Sequence, residues 1–333
     1  MDCIELKLPS TRTISSIFSS DKYIVIGDNK GRVHATRLDY LNNEITENCS
    51  INAENDFKVC NNNIRSITCS ENAYFAASSI GEIVKVDKNG SVYKRRRIKY
   101  PINILNCTNN KLISGGDEGQ IYVWDVNNFN QNKHIIKCHE CQDTITSLNM
   151  IDDNILLSSS LGGNLYKHDL RTGKLLSQSN ELVDDDIVNV FSCDDYTESV
   201  VCCGLKNLYL YDLSNIKSLS TKYGLESRRK KKMDIEINTA VFDYDVAFIG
   251  TENCFVYCVE FSPTYKVRSV YEFIDMGSIS IINTSIESEY IFLGNYIRNT
   301  IKIIKKSNFI NSQSKKLKFN KIIRVDNFYN GFD

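Results

Sequence analysis

One phrase recurs seven times along the chain: a β-rich run, a tight turn, then a second β-rich run. The copies are "KYIVIGDNKGRVHATRL" (22–38), "YFAASSIGEIVKVD" (74–87), "KLISGGDEGQIYVWD" (111–125), "NILLSSSLGGNLYKHDL" (154–170), "SVVCCGLKNLYLYDL" (199–213), "DVAFIGTENCFVYCVEF" (245–261) and "EYIFLGNYIRNTIKII" (289–304). Their turns centre on Gly31, Gly81, Gly119, Gly163, Asn207, Asn253 and Asn299, the residue types that best tolerate a positive φ at a hairpin turn. Successive centres lie 50, 38, 44, 44, 46 and 46 residues apart. A hairpin cannot bury both of its faces alone, so a unit of this kind needs neighbours of the same kind.

Upstream of each turn lies a third short strand carrying two apolar or small residues three positions apart. The pairs are Ile14 and Ile17, Ile64 and Ile67, Ile102 and Leu105, Ile145 and Leu148, Ile187 and Val190, Ile237 and Ala240, and Ile279 and Ile282. Residues three apart on a regular strand point to opposite faces, so each of these strands is expected to be apolar on both sides and its sheet to be sandwiched between two others. A period near 45 residues with three or four strands per unit is what a β-propeller blade requires. Segments such as 132–138 and 173–179 supply outer fourth strands, and "CIELKLP" (3–9) is expected to pair as the outer strand of the last blade, which would remove two exposed edges. The expected fold is all-β: a seven-bladed propeller over residues 1–306, closed by an N-terminal outer strand, with a short C-terminal tail at 307–333. A β-sandwich or two stacked β domains would also show frequent turns, but neither repeats one triple-strand phrase seven times.

Composition narrows the class of partner. Forty basic against forty-one acidic residues give a net charge of -1, which argues against a protein basic all over that coats nucleic acid. No run approaches the eighteen or so apolar residues of a membrane span, and the start of the chain lacks a long apolar segment after basic residues, so a soluble, unsecreted protein without a membrane partner is expected. The 12 Cys include Cys202, Cys203, Cys254 and Cys258 at positions that read as buried strand, without disulfide-framework spacing, which points to a reducing compartment.

"LISGGDEGQIYVWDV" resembles a WD repeat, with Trp124 and Asp125 as the signature pair and Gly115-Gly116 in the preceding strand. Elsewhere the pair becomes "KHD", "LYD" or "RLD", and of the usual Gly-His only His139 remains. Packing rather than the hydrogen-bonded tetrad of WD repeats is therefore expected to hold most units. The order of "YPINILNCTNNKLISGGDEGQIYVWD" (100–125), "HECQDTITSLNM" (139–150) and a tail in which lysines precede "DNFYNGFD" (326–333) is similar to the WD repeat-containing protein 55 family and its yeast counterpart. That resemblance implies a seven-bladed WD-repeat β-propeller scaffold without enzymatic chemistry or cofactor. It also implies nuclear and nucleolar residence, in rRNA processing and ribosome biogenesis for the large subunit, with proteins of pre-ribosomal assemblies as partners.

Reactive chemistry finds little footing. "CHEC" (138–141) has the spacing of a zinc half-site or redox pair, but no second half-site or helix start accompanies it. His34, His134, His139 and His168 are spread over distant units, and Asp184 to Asp186 read as a solvated loop, so neither a catalytic nor a metal site is expected. Two basic runs are candidate RNA or nuclear-import patches. Arg95, Arg96 and Arg97 lie between Tyr93 and Tyr100 in an outer strand and its link; Arg228, Arg229, Lys230, Lys231 and Lys232 lie in a long link between units. Phe328, Tyr329 and Phe332 are candidate anchors for a protein partner, because buried aromatics carry most interface energy. A monomeric assembly platform is the expected function, with a ubiquitin-ligase substrate adaptor or a peptide-reading module as the alternative.

Overall fold

The computed structural model describes residues 3–8, 12–20, 22–38, 55–88, 91–108, 110–129, 136–138, 143–179, 187–192, 199–217, 219–224, 235–243, 246–261, 266–285, 288–310 and 322–325. The chain divides into two compact units, residues 65–237 and residues 1–64 with 238–333.

In the first of these, four sheets follow one another, each with its strands paired in chain order. Sheet II is Ile64–Cys69, Ala73–Ser78, Glu82–Asp87 and Val92–Arg97. Sheet III is Ile102–Thr108, Lys111–Gly116, Ile121–Asp125 and Ile136–Cys138. Sheet IV is Ile145–Met150, Ile155–Ser160, Leu165–Asp169 and Lys174–Gln178, and sheet V is Ile187–Ser192, Ser199–Gly204, Asn207–Asp212 and Leu219–Gly224.

The other unit holds sheet I, made of Ile14–Ser19, Tyr23–Asp28, Arg32–Arg37 and Asn55–Lys58, and sheet VI, made of Ile237–Asp243, Val246–Thr251, Phe255–Glu260 and Lys266–Glu272. It also holds a five-stranded mixed sheet in the order Ile281–Asn283, Tyr290–Gly294, Thr300–Lys305, Cys3–Lys7, Ile322–Val325. Cys3–Lys7 runs antiparallel to Thr300–Lys305 and parallel to Ile322–Val325. The expectation of seven like blades is corrected here: six sheets have the plain four-stranded form, and the last repeat sits in a sheet of different make-up.

The inner strands also depart from expectation. In sheets I, III, IV and V the register slips by one residue just after the strand begins, as between Ile102 and Ile104, which stand opposite Gly116 and Gly115. A bulge of this kind turns a spacing of three into a spacing of two, so Ile102 and Leu105 point to the same side. Both pack with Phe75, Ala77 and Ile83 of the preceding sheet, just as Ile145 and Leu148 pack on Ile113 and Val123. The second and third strands are the ones apolar on both faces: Leu112 and Trp124 share the core with sheet II, while Ile113 and Val123 share it with sheet IV.

Close packing of one sheet on the next depends on small residues near the end of each second strand. Gly27, Ala77, Gly115, Ser159, Cys203 and Gly250 occupy the same register position. At Gly115 a Cβ would lie 2.6 Å from Ile145 Cγ2, and at Gly250 it would lie 2.6 Å from Ile279 Cγ2. The turns use a positive φ at Gly31, Gly81, Gly119 and Gly163, as expected, but the three Asn turns do not; among the described non-glycine residues Glu118 and Cys254 carry it.

The segment at 307–310, expected to belong to the tail, is part of the packed unit. It forms a short helix, Ser307–Ile310, whose Phe309 is fully buried edge-on against Tyr271 and Phe248 at centroid distances of 4.5 and 5.6 Å. The Ser269 hydroxyl donates to Phe309 O at 2.7 Å, and Tyr271 OH donates to Asn308 O.

Candidate functional site

Trp124 ends the apolar run of the third strand in sheet III. Its indole N–H donates to Ser114 Oγ at 3.2 Å, and its ring lies by Tyr122 and Phe129. Asp125 follows at the surface and accepts from the amides of Asn127 and Asn128 and from the Asn128 side chain, bonds that hold its carboxyl below the usual range. The turn they make delivers Phe129 into sheet II, where it meets Phe75 edge-on at 5.4 Å.

Sheet II grips that turn through two cations. Lys85 Nζ donates to Val126 O at 2.9 Å, and Arg96 donates from Nε and Nη2 to Phe129 O at 3.1 and 2.8 Å, with its guanidinium over the Phe129 ring. The candidate patch is thus divided by strand alternation. Arg96 faces the core at 9% exposure, Arg97 is exposed, and Arg95 pairs with Val84 in the backbone register. The lysine device recurs one repeat pair later, where Lys167 Nζ donates to Leu213 O at 3.1 Å.

Sheet IV rebuilds the Trp–Ser contact with other residues. In the shared register His168 stands where Trp124 stands and Ser158 where Ser114 stands, and the imidazole Nε2 and the hydroxyl lie 2.8 Å apart. Both are fully buried, and burial lowers the His168 pKa to about 4, so the ring is neutral at physiological pH.

Sheet I carries a second polar cluster. His34 lies between Asp28 (Nε2 to Oδ2, 3.3 Å) and Asp56 (Nδ1 to Oδ1, 3.4 Å), with Arg12 and Arg32 at the same carboxylates. Burial alone would raise the Asp28 carboxyl, but bonds from His34 and from the Arg32 and Lys30 amides leave it below its ordinary value. With both carboxylates engaged by cations, the cluster is a strut between turn and strand.

Nucleophilic and metal chemistry have weak footing among the described residues. Burial pushes the Cys107 and Cys258 thiols up to about 12 and raises Cys202 and Cys203 as well, which keeps them protonated. No group of three or more His, Cys, Asp or Glu among the described residues is placed to hold a metal ion. Arg228, Arg229, Lys230, Lys231 and Lys232, the aromatics Phe328, Tyr329 and Phe332, His134, His139 and Asp184 to Asp186 lie outside the described residues.

Sequence reasoning missed the plug residues Phe129 and Phe309, although each is a lone aromatic a few residues past the third strand of its unit, a spacing that could have found them. It also missed an exposed apolar turn, Tyr296 and Ile297, at 56% and 83% exposure.

Repeated four-stranded sheets, each laid on its neighbour within a unit, together with a Trp-Asp pair closing a third strand, are the features of the WD-repeat β-propeller class. Within that class the chain is similar to WD repeat-containing protein 55 homolog of Dictyostelium discoideum, 29% identical over 150 residues, which is 44% of this chain and 35% of that protein. It is also similar to Restriction of telomere capping protein 1 of Clavispora lusitaniae (strain ATCC 42720), 30% identical over 73 residues, 22% of this chain and 6% of that protein. The aligned stretches thus span well under two thirds of either relative's length. No protein-family model matches the chain.

Proposed function

We propose that the chain is a non-enzymatic scaffold that brings proteins together during rRNA processing and large ribosomal subunit production, residing in the nucleus and nucleolus. The similarity to the Dictyostelium WD repeat-containing protein 55 homolog carries this reading, since it takes in 44% of the chain. The chemistry described above favours holding over reacting: the buried thiols are protonated, the buried imidazole of His168 is neutral, and the acidic cluster of sheet I is neutralised by its own arginines.

In this reading the protein acts as a monomer among pre-ribosomal proteins. Phe328, Tyr329 and Phe332 anchor a partner, and RNA is met through Arg95, Arg97 and the run Arg228 to Lys232. Arg96 is left out because its guanidinium is spent on Phe129. Sedimentation of a cell extract through a density gradient tests the proposal: the protein is expected to travel with large-subunit precursors and to shift when their assembly is blocked. Recovery only at the top of the gradient, or with ubiquitin-ligase subunits, would overturn it.

A further inference from the structure

The turn Asn295–Asn299 of the mixed sheet presents Tyr296, Ile297 and Arg298 to solvent, and Ile297 is the most exposed large apolar residue among those described. The turn is rigid beneath these side chains. Asn295 accepts from the Ile297 amide at 2.7 Å and donates from Nδ2 to Met276 O at 3.1 Å, while Arg298 N returns to Asn295 O at 3.2 Å. Two adjacent exposed apolar side chains on a fixed turn gain nothing until something covers them.

The same edge is where the last described strand points. Ile322–Val325 runs parallel to Cys3–Lys7, with Val325 opposite Leu6, and Leu6 is opposite Ile301 on the other side. Two residues further along Cys3–Lys7, the Leu8 amide donates to Asn299 O at 2.7 Å, and the Asn299 side chain donates to Leu8 O at 2.6 Å. The chain beyond Val325 therefore starts two strand widths, roughly 10 Å, to the side of Ile301 and runs towards the turn, whose Asn299 lies two residues further along. Residues 326–333, "DNFYNGFD", can extend about 3.3 Å per residue, so Phe328 to Phe332 reach Tyr296 and Ile297 with length to spare. Asp326 and Asp333 carry the charge opposite to Arg298.

We propose that residues 326–333 dock in cis on the Asn295–Asn299 turn, with Phe328, Tyr329 and Phe332 covering Tyr296 and Ile297. The contact stands whether or not a partner uses those aromatics. If one does, it must first displace them from the turn, which makes the turn a competitor for the same side chains.

Chymotrypsin cleavage after Phe328, Tyr329 and Phe332 in the purified full chain is the test, against a free peptide of residues 322–333. Docking slows cleavage at least tenfold relative to the peptide, and Tyr296→Ser with Ile297→Asp removes the protection. Leu161→Asp, on the exposed turn of sheet IV, leaves it intact. The converse change, Phe328→Ser with Phe332→Ser, raises hydrogen exchange at the amides of 296–298 and alters no exposed residue of the turn. Cleavage as fast as in the peptide, protection that survives the double variant, or protection that grows with protein concentration would each overturn the proposal; the last would mean that a second copy covers the turn. Because no partner is present, these outcomes are separate from the fate of the scaffold reading.

Discussion

At the scale of the residue, one position of the third strand is filled by Trp124 in sheet III and His168 in sheet IV, each reaching a serine two residues before the partner strand's end. The two should respond differently to mutation. Trp124→Ala removes a large buried ring and is expected to cost about 3–5 kcal/mol, while Trp124→Phe loses chiefly the bond to Ser114 and costs on the order of 1 kcal/mol; chemical denaturation distinguishes them. His168 makes stability depend on pH. Its folded pKa of about 4 lies below the ordinary value of 6.5, so the unfolded chain binds the proton more readily. The stability that His168 confers is complete above pH 6.5 and is lost as the pH falls towards 4, by roughly 3 kcal/mol at most. His168→Gln, which keeps a polar contact to Ser158, should flatten the denaturation midpoint between pH 7 and 4.5 relative to the native chain. For the arginines, Arg96→Ala should lower stability by about 1.5–3 kcal/mol, since a charged donor leaves a buried carbonyl, whereas Arg97→Ala should stay within about 0.5 kcal/mol. Arg96 and Arg97 read alike as letters; only the alternation of a strand already placed in a sheet sets them apart.

At the scale of the element, the bulge explains what could be read from the sequence and what could not. The hairpins, the glycine turns and the positions of the outer strands were legible because turn chemistry and β-rich runs are local properties. The facing of Ile102 and Leu105 was not, because a bulge is a feature of pairing, and pairing partners are invisible in a single run of residues. The Asn turns failed for a related reason: Asn253 tolerates a positive φ, yet its neighbour Cys254 adopts it, at 58°. The small-residue column gives the element-scale prediction. Gly115→Val would push into Ile145 and should cost at least 1–3 kcal/mol, and shortening the neighbour with Ile145→Ala in the same chain should recover part of the loss. Simple additivity of the two changes would show that the sheets do not meet there.

At the scale of the molecule, the repeat announced an all-β propeller, but the sheet that departs from the pattern is assembled from pieces far apart in the chain, which no period reveals. Phe309 matters at this scale because it fastens the chain beyond the last repeat to sheet VI. Phe309→Ala is expected to cost about 3–5 kcal/mol and to hasten trypsin cleavage at Lys305 and Lys306 well before global unfolding. Equal cleavage of native and variant chains would show that the plug is dispensable.

The pairing of Cys3–Lys7 with Thr300–Lys305 has a consequence for biosynthesis. A ribosome adding about 5–20 residues per second needs roughly 15–60 s between making the first of these strands and making the second. Throughout that interval the early strand has no mate, whereas residues 65–237 already contain every strand of sheets III, IV and V. The strand Cys3–Lys7 should therefore gain its antiparallel partner only after sheets III, IV and V have had all their strands synthesised.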